Sequence, residues 1–522
     1  MPDNGHYDAV VVGGGHNGLV AATLLARAGR SVCLLEAAAE LGGATAGTQV
    51  FDGVPVRLSR YSYLVSLFPD TLAAELGLRL RLVSRAVSSF TPTVRGGRPV
   101  GLLVEHQLGP ATEASFREVT GSAAAWRQWS AFRRRVARFA TVLAPTLLEP
   151  LPRRSEVRDA VTAAAGAQAW DELVEQPIGV TLEKAFTDDV VRGLVATDAQ
   201  IGTHASLRDE NLRANRCFLY HVVGNGTGDW RVPIGGMGAL ADALVHAATM
   251  AGARLHTSAA VSAIREHDDA VEVCTVDGET ISANWVLAAC APSILDSLTG
   301  RPSRPTEGSQ LKVNLVLRRL PRLRTGVDPR IAFAGTLHLE ESYPQLLAAY
   351  ATADAGSLPE PLPAEVYCHS LTDASILAPE LVDRGYHTFT LFGLHTPARL
   401  FANDPRAARD HAVSAALSSL QAHLAEPLDD VLAEDTHGKP CVEAASPLDL
   451  ERILRMPGGN IFHGDLEWPW LDDDERADTP AERRGVAVAG YRRVFLAGAG
   501  SRRGGGVSGL GGLHAARAVL ES

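Results

Sequence analysis

A glycine-rich turn near the start of the chain constrains the fold more than any other feature. Residues Asp8–Val12 are a short β-branched run, which is typical of a buried parallel strand. Gly13, Gly15 and Gly18 follow at the spacing GxGxxG, and the pattern over Leu19–Arg27 predicts a helix. A strand, GxGxxG and a helix in this order are the fingerprint of a dinucleotide-binding unit. The sequence therefore predicts an α/β fold with a nucleotide site at the helix N-terminus.

The second predicted strand, Ser31–Leu35, ends at an acidic residue. Glu36 lies 23 residues after Gly13. An acid at this distance is placed to accept hydrogen bonds from ribose hydroxyls, and it disfavours a 2′-phosphate. The residues thus argue against NADP and leave FAD or NAD as the occupant.

A second concentration of glycine lies near the C-terminus. Eight of the fifteen residues from 498 to 512 are glycine, between a predicted strand at Val494–Ala497 and a predicted helix at Leu513–Leu520. Glycine is entropically costly in ordered structure, so such a run indicates backbone that lies against a flat or anionic ligand.

Composition excludes several classes of protein. The formal net charge is -11, which argues against a nucleic-acid partner. None of the six cysteines lies within ten residues of another, so no CxxC redox pair or zinc ribbon is present. The sequence shows neither a secretory signal pattern nor an apolar run of the ~20 residues that a membrane span requires. We expect a cytoplasmic protein, with peripheral membrane contact left open.

Several stretches together resemble the phytoene dehydrogenase-related branch of the FAD-dependent, amine-oxidase-like flavoproteins. Within that branch the sequence is most similar to the group of pyridine nucleotide-disulphide oxidoreductase domain-containing protein 2. The matching stretches are VVVGGGHNGLVAA, LEAAAELGGA, SRYSYLVSLFP, ATDAQIG, GGMGALADAL, LKVNLVL, GNIFHGDL and VFLAGAGSRRGGGVSGLGGLHAA. The chain lacks the redox cysteine pair and the second NAD fingerprint of a true disulfide reductase.

The resemblance implies FAD and a site for it. Its pyrophosphate would lie on Gly13, Gly15 and Gly18, with Glu36 at the ribose and the backbone of Val261 at the adenine. The pair Gly42 and Gly43 after the second strand is usual in FAD-binding relatives. The C-terminal segment would hold the pyrophosphate, ribityl chain and ring edge through Gly498, Gly505, Gly506 and Val507.

The resemblance also implies two interleaved domains. A Rossmann-like, two-dinucleotide-binding FAD domain would comprise residues 1–75, 228–300 and 455–522. An α+β substrate domain with a helical cap would comprise residues 76–227 and 301–454.

Two residues are candidates for catalysis. Lys312 lies in an apolar run, Leu311–Leu317, and a lysine on the matching strand of amine-oxidase relatives reaches flavin N5 through a water. The alternative is a snorkelling or ion-paired lysine. His463 either faces the flavin ring or is a structural histidine.

Four further residues are candidates for substrate contact: Tyr61, His221, Trp470 and Arg502. For Tyr61 and His221 the alternative is a structural role in the core. Arg502 and Arg503 stand where the family more often has His-Pro, and their guanidinium groups suit phosphate, a carboxylate substrate or surface acids.

The leading functional hypothesis is an FAD-dependent oxidase, dehydrogenase or desaturase that acts on a C–C or C–N bond of a moderately hydrophobic small molecule. Oxygen or a quinone would be the electron acceptor. One alternative is a redox-neutral flavin-dependent isomerase, and another is a non-catalytic binding protein of the same fold. We expect no metal site.

Overall fold

The computed structural model describes residues 5–65, 67–303 and 305–522. Its strands, in chain order, are β1 (His6–Val12), β2 (Val32–Leu35), β3 (Gly47–Thr48), β4 (Leu58–Ser59), β5 (Leu82–Ser84), β6 (Val87–Arg95), β7 (Arg98–Glu105), β8 (Arg231–Pro233), β9 (Arg254–His256), β10 (Val261–Glu266), β11 (Val271–Thr275), β12 (Thr280–Ala288), β13 (Ser309–Leu317), β14 (Thr336–Leu339), β15 (Ala364–Tyr367), β16 (His387–Pro397), β17 (Val442–Ala445) and β18 (Val494–Leu496).

The helices, in the same order, are α1 (His16–Arg27), α2 (Asp70–Glu75), α3 (Pro110–Thr120), α4 (Ala123–Thr146), α5 (Arg154–Ala165), α6 (Ala167–Trp170), α7 (Ile178–Ala185), α8 (Asp189–Ala196), α9 (Arg213–Val223), α10 (Met237–Met250), α11 (Pro292–Leu298), α12 (Pro329–Ala332), α13 (Tyr343–Asp354), α14 (Pro379–Asp383), α15 (Pro405–His423), α16 (Pro447–Leu454), α17 (Pro480–Arg483) and α18 (Leu510–Glu521). None of these helices is long and apolar enough to cross a membrane.

The first sheet contains the nucleotide fingerprint. Its order is β10-β11-β12-β1-β2-β9, and β18 also pairs with β12. Strands β9, β2, β1, β12 and β18 run parallel, whereas β10 and β11 join antiparallel at one edge. Helix α1 packs against α10 and α18 in one apolar core over this sheet. This arrangement confirms the predicted α/β class with a Rossmann-like nucleotide-binding sheet.

Strand β12 passes through two environments. It is continuous from Thr280 to Ala288, although its first residues alternate between apolar and polar and its last are uniformly apolar. Its first four residues pair with β11 and are half-buried, whereas its last three, Val286–Ala288, lie between β1 and β18 and are fully buried. The hydrophobic pattern therefore changes from alternating to continuous within one strand.

The second sheet and the helices around it come from other parts of the chain. The sheet order is β17-β13-β16-β15-β14-β6-β7, with antiparallel neighbours except for the parallel pair β14 and β6. Helix α15 shares an apolar core with this sheet. Helices α3 to α9 pack on β7, β15 and β16 through a second core that is rich in tryptophan and phenylalanine.

The strands of the two sheets lie in different predicted domains. All strands of the first sheet fall within 1–75, 228–300 and 455–522, and all strands of the second fall within 76–227 and 301–454. The exact domain boundaries remain a prediction.

Candidate active site

A cavity of about 660 Å³ is bounded by residues of both sheets. It opens at the carboxyl ends of β1, β2 and β12, where Val12, Leu35 and Ala289 line it. Ligands of parallel α/β sheets bind at this end of the strands. Its far wall includes Lys312 of β13 and Phe392 of β16, from the second sheet. The cavity volume lies within the range of ligand sites in proteins, about 300–1,000 Å³.

The fingerprint glycines have different structural roles at this cavity. Gly13 and Gly15 line it, and Gly15 is the N-cap of α1. A Cβ on Gly15 would have no protein atom within 4 Å, so it would project into the cavity. A Cβ on Gly18 would come within 2.0 Å of the carbonyl oxygen of Gly13. Gly18 thus permits helix and strand to pack, while Gly15 leaves room for a ligand.

The N-terminus of α1 is a suitable anion site. It has no side-chain cap and no acidic residue in its first turn. The first backbone N–H groups of a helix have no partner within the helix and lie at the positive end of its dipole. A phosphate of a bound dinucleotide would satisfy them.

Glu36 lines the cavity at the end of β2. Its carboxylate accepts hydrogen bonds from the backbone N–H of Gly14 at 2.6 Å and of Ala38 at 2.8 Å. These bonds orient the side chain beside the space that would hold a ribose. Val261 and Gly43 line the same end of the cavity. Gly42 lies behind it with a φ of +111°, and its N–H donates to the carbonyl of Gly14 at 2.9 Å.

The C-terminal glycine segment forms part of the wall. Gly506 and Val507 line the cavity. Gly498 lies behind them, where a Cβ would come within 2.8 Å of the Ala289 carbonyl oxygen. Gly505, with a φ of +111°, accepts a hydrogen bond from the hydroxyl of Tyr220.

Lys312 is buried in the cavity wall. Its Nζ donates to the backbone carbonyls of Ser59 at 2.6 Å and Tyr61 at 2.7 Å, and it lies 5.2 Å from the ring centre of Tyr63. Burial lowers the pKa of Lys312 to about 7, against a weaker opposing effect of Glu443. The amine therefore titrates near neutral pH. It bonds to buried backbone carbonyls and does not snorkel, and no carboxylate among the described residues forms an ion pair with it.

Three histidines line the cavity in the neutral state. Burial lowers the pKa of His463, His221 and His16 to about 4 in each case. His463 has a φ of +63°, and its Nδ1 has no hydrogen-bond partner in the part of the chain that the structure describes. His221 shares a hydrogen bond of 2.9 Å between Nδ1 and the carbonyl oxygen of Cys217.

Unpaired polar atoms around the cavity fit a polar ligand. Among the described residues, five buried atoms on residues that line the cavity have no hydrogen-bond partner: His16 Nε2, Asn17 Oδ1, Tyr61 Oη, Gln310 Oε1 and His463 Nδ1. Leaving a buried polar group unpaired costs about 1–3 kcal/mol. Together with the open space at Gly15, these unpaired groups fit a polar ligand such as a dinucleotide.

Two of the predicted substrate residues lie outside the cavity. Trp470 is buried in the helical core, with its ring centre 5.4 Å from that of Trp170 and 4.9 Å from that of Trp468. Arg502 binds Glu475 at 2.5 Å and donates to the carbonyl oxygens of Trp468 and Trp470. The Arg502 side chain thus joins the 465–475 segment to the C-terminal segment, which agrees with the structural alternative for this residue.

Sequence reasoning missed several lining residues. His16 and Asn17 occupy the variable positions of GxGxxG, so the motif itself was a usable signal. Gln310 precedes Lys312 by two positions on β13, and β-strand periodicity places both side chains on one face. Arg452 and Arg455, at the end of α16, carried no recognisable motif.

The family model described as flavin-containing amine oxidoreductase matches residues 18–315. The chain belongs to this family. It is therefore a flavin-dependent oxidoreductase, as the sequence predicts.

Two relatives match the chain over nearly its whole length. An uncharacterised protein of Mycobacterium tuberculosis is 48% identical over 527 residues, covering 98% of this chain and 97% of the relative. Mouse pyridine nucleotide-disulfide oxidoreductase domain-containing protein 2 is 30% identical over 562 residues, covering 98% of this chain and 93% of the relative. The second match confirms the resemblance to that group.

Solved structures share the fold. A putrescine oxidase variant matches with a TM-score of 0.57 and 15% identity over 99% of both chains. Cyclohexylamine oxidase from Brevibacterium oxydans matches with a TM-score of 0.55 and 15% identity, over 99% of this chain and 98% of that one. At this identity the similarity concerns architecture alone.

Proposed function

We propose that the protein is an FAD-dependent oxidoreductase that takes a hydride from a C–C or C–N bond of a moderately hydrophobic small molecule. The observation that carries the proposal is the continuity of one cavity from the dinucleotide-binding glycines to Lys312. The elements that would bind the dinucleotide and the substrate therefore line one cavity. A cofactor-dependent redox reaction requires this, because the substrate must lie next to the cofactor.

FAD fits this cavity better than a smaller flavin. Glu36 and Val261 line one end, where a ribose and an adenine would lie, and a flavin mononucleotide has no adenosine to use them. Gly13, Gly15 and the first turn of α1 would hold the pyrophosphate. Gly506 and Val507 would lie along the flavin end.

The chain's own residues would bind and orient the substrate. When bound, a flavin accepts a hydride at N5, and the protein supplies position and local polarity. Tyr61, Tyr63 and His221 line the cavity and offer aromatic surface for an apolar substrate. Lys312 holds the backbone at Ser59 and Tyr61, and near pH 7 it exchanges a proton at Nζ.

Cofactor analysis tests the first part of the proposal. The purified protein is expected to be yellow, and mass spectrometry of the released cofactor should identify FAD. Glu36→Gln should lower FAD affinity about tenfold, because an amide accepts ribose hydroxyl bonds more weakly than a carboxylate. The matched change Glu380→Gln, at an exposed position on α14, should have no effect. A protein that cannot be reconstituted with FAD would contradict the proposal.

Anaerobic reduction tests the second part. A panel of candidate substrates is added to the holoenzyme without oxygen, and bleaching of the flavin bands reports hydride transfer. Reoxidation by oxygen and by quinones then identifies the acceptor. Turnover of a substrate without net electron transfer would instead favour the isomerase reaction.

A further inference from the structure

Charge is unevenly distributed around the cavity. Among the described lining residues the carboxylates are Glu36 and Glu40, both close to the end of β2. The side chains with basic ammonium or guanidinium groups are Lys312, Arg452 and Arg455, all from the second-sheet side. The part of the cavity beyond the dinucleotide end therefore contains cationic groups and no carboxylate of the described chain.

The two arginines lie at the rim and are available to a ligand. Arg452 is on the last turn of α16, with 71% of its side chain exposed, and its ion pair with Asp449 is long at 3.5 Å. Asp449 also accepts from the backbone N–H and hydroxyl of Ser446 and lies 3.5 Å from Arg409. Asp449 thus interacts with Ser446, Arg409 and Arg452 at once. Its ion pair with Arg452 is weak enough for the arginine to turn towards another anion.

Arg455 follows α16 as its C-cap, with a φ of +56°. Its side chain is exposed, and it has no carboxylate within 4.0 Å in the described part of the chain. A guanidinium group prefers planar, bidentate partners such as carboxylate or phosphate. Two such groups within four positions form a rim suited to one anionic head group.

The walls beneath this rim are apolar. The lining residues next to the arginines in sequence and along the same wall are Leu450, Ile453, Leu454, Met456, Ile461 and Phe462. An apolar chain buried here would leave a polar head at the arginines.

We propose that the cavity takes a substrate with an apolar body and an anionic head group, a carboxylate or a phosphate, which Arg452 and Arg455 bind at the rim. The inference rests on the proposed function and names its substrate class. A substrate that carries an ammonium group would meet the like charge of both guanidinium groups at the rim, where Asp449 already interacts with Arg452, Arg409 and Ser446. We therefore expect a cationic amine to bind this chain more weakly than an anion of the same length.

A chain-matched series of ligands tests the inference. Decanoate, decyl phosphate, decanamide and decylammonium are titrated separately into the holoenzyme, and the flavin absorbance change gives each Kd. The same titrations of flavin-free protein are followed by tryptophan fluorescence, because Trp230 lines the cavity. Decanoate or decyl phosphate should bind at least tenfold more tightly than decanamide, and the tighter of the two identifies the head group. Decylammonium should bind more weakly than decanamide.

Two variants and one control locate the head-group site. Arg452→Gln and Arg455→Gln should each weaken binding of the preferred anion about three- to tenfold and leave decanamide binding unchanged. Raising the salt concentration should weaken anion binding to the unaltered protein more than binding to a variant that carries both changes. Arg406→Gln is the matched control, since Arg406 is 87% exposed on α15 and does not line the cavity.

The outcomes separate this inference from the proposed function. Decylammonium binding as tightly as decanoate, or anion binding unaffected by both arginine variants, overturns the inference. A protein that binds the anion in the fluorescence titration but retains no flavin overturns the proposed function and leaves the inference standing. A holoenzyme bleached by amines and unaffected by the arginine variants supports the proposed function and refutes the inference.

Discussion

Lys312 has a pKa that its position in the sequence does not predict. It is the lysine of a nine-residue strand that is buried along its whole length. Two backbone carbonyls replace part of the hydration that its ammonium group loses, and burial still lowers its pKa to about 7. A lysine that titrates at neutral pH in a ligand cavity is suited to proton exchange with a substrate or water.

Lys312→Met is predicted to change the pH profile of flavin reduction. The lysine is charged below pH 7 and neutral above it, so the fraction able to accept a proton rises through pH 7. The anaerobic rate should therefore rise with pH around an apparent pKa near 7 in the unaltered enzyme. In the variant that step should disappear, and flavin reduction or reoxidation should slow at least tenfold. Stopped-flow absorbance between pH 5.5 and 9 measures both.

Lys184→Met is the matched control. Lys184 is on α7, its Nζ donates to Gln176 Oε1 at 2.9 Å, and it does not line the cavity. The control should retain the rates and the pH profile. Unchanged half-reactions and an unchanged profile in Lys312→Met, at normal flavin content, would reject a role for this amine.

Helix α1 shows how one motif combines packing and binding. Gly18 is required because the helix crosses close to the carbonyl of Gly13, whereas Gly15 faces open space. Both glycines belong to the same sequence pattern. Only the tertiary structure shows that Gly18 permits helix packing and that Gly15 leaves space for a ligand.

Gly15→Ala is predicted to weaken FAD binding, whereas Gly18→Ala is predicted to destabilise the folded protein. The Gly15 variant should keep the melting temperature of the flavin-free protein and lose FAD affinity, because its Cβ enters the cavity without touching protein. The Gly18 variant should destabilise the flavin-free protein by at least about 1–3 kcal/mol, because its Cβ overlaps a backbone oxygen. Thermal unfolding and FAD titration of both apo variants provide the comparison. Equal losses of stability in the two variants would contradict these separate roles.

At the scale of the whole molecule, the chain passes between the two sheets several times. Strands of the first sheet come from the beginning, middle and end of the sequence, and strands of the second sheet come from the parts between. The cavity is bounded by both, so a bound dinucleotide contacts elements of both.

FAD is therefore predicted to stabilise both parts of the molecule together. A ligand at 100 times its Kd stabilises the folded state by about 2.7 kcal/mol. Calorimetry of the flavin-free protein with increasing FAD should shift every resolved unfolding transition upwards. A shift confined to one of two transitions would show that only one sheet binds the cofactor. Riboflavin at equal concentration is the control, because it lacks the adenosine that FAD carries.

The sequence by itself predicted the nucleotide-binding sheet, because its signals are local. The strand–GxGxxG–helix pattern, the acid Glu36 and the C-terminal glycines each depend on a few neighbouring residues, and the structure places Gly13, Glu36 and Gly506 around one cavity. The resemblance drawn from such stretches also led to Lys312, which lies in the same wall.

Only the tertiary structure decided which distant side chains face the cavity. Trp470 and Arg502 occur in glycine- and aromatic-rich stretches much like those that line it, yet they pack elsewhere. Arg452 and Arg455 occur in an ordinary amphipathic helix end and reach its rim. A local pattern determines which face of an element is buried, whereas the partner of that face depends on how separate segments pack together.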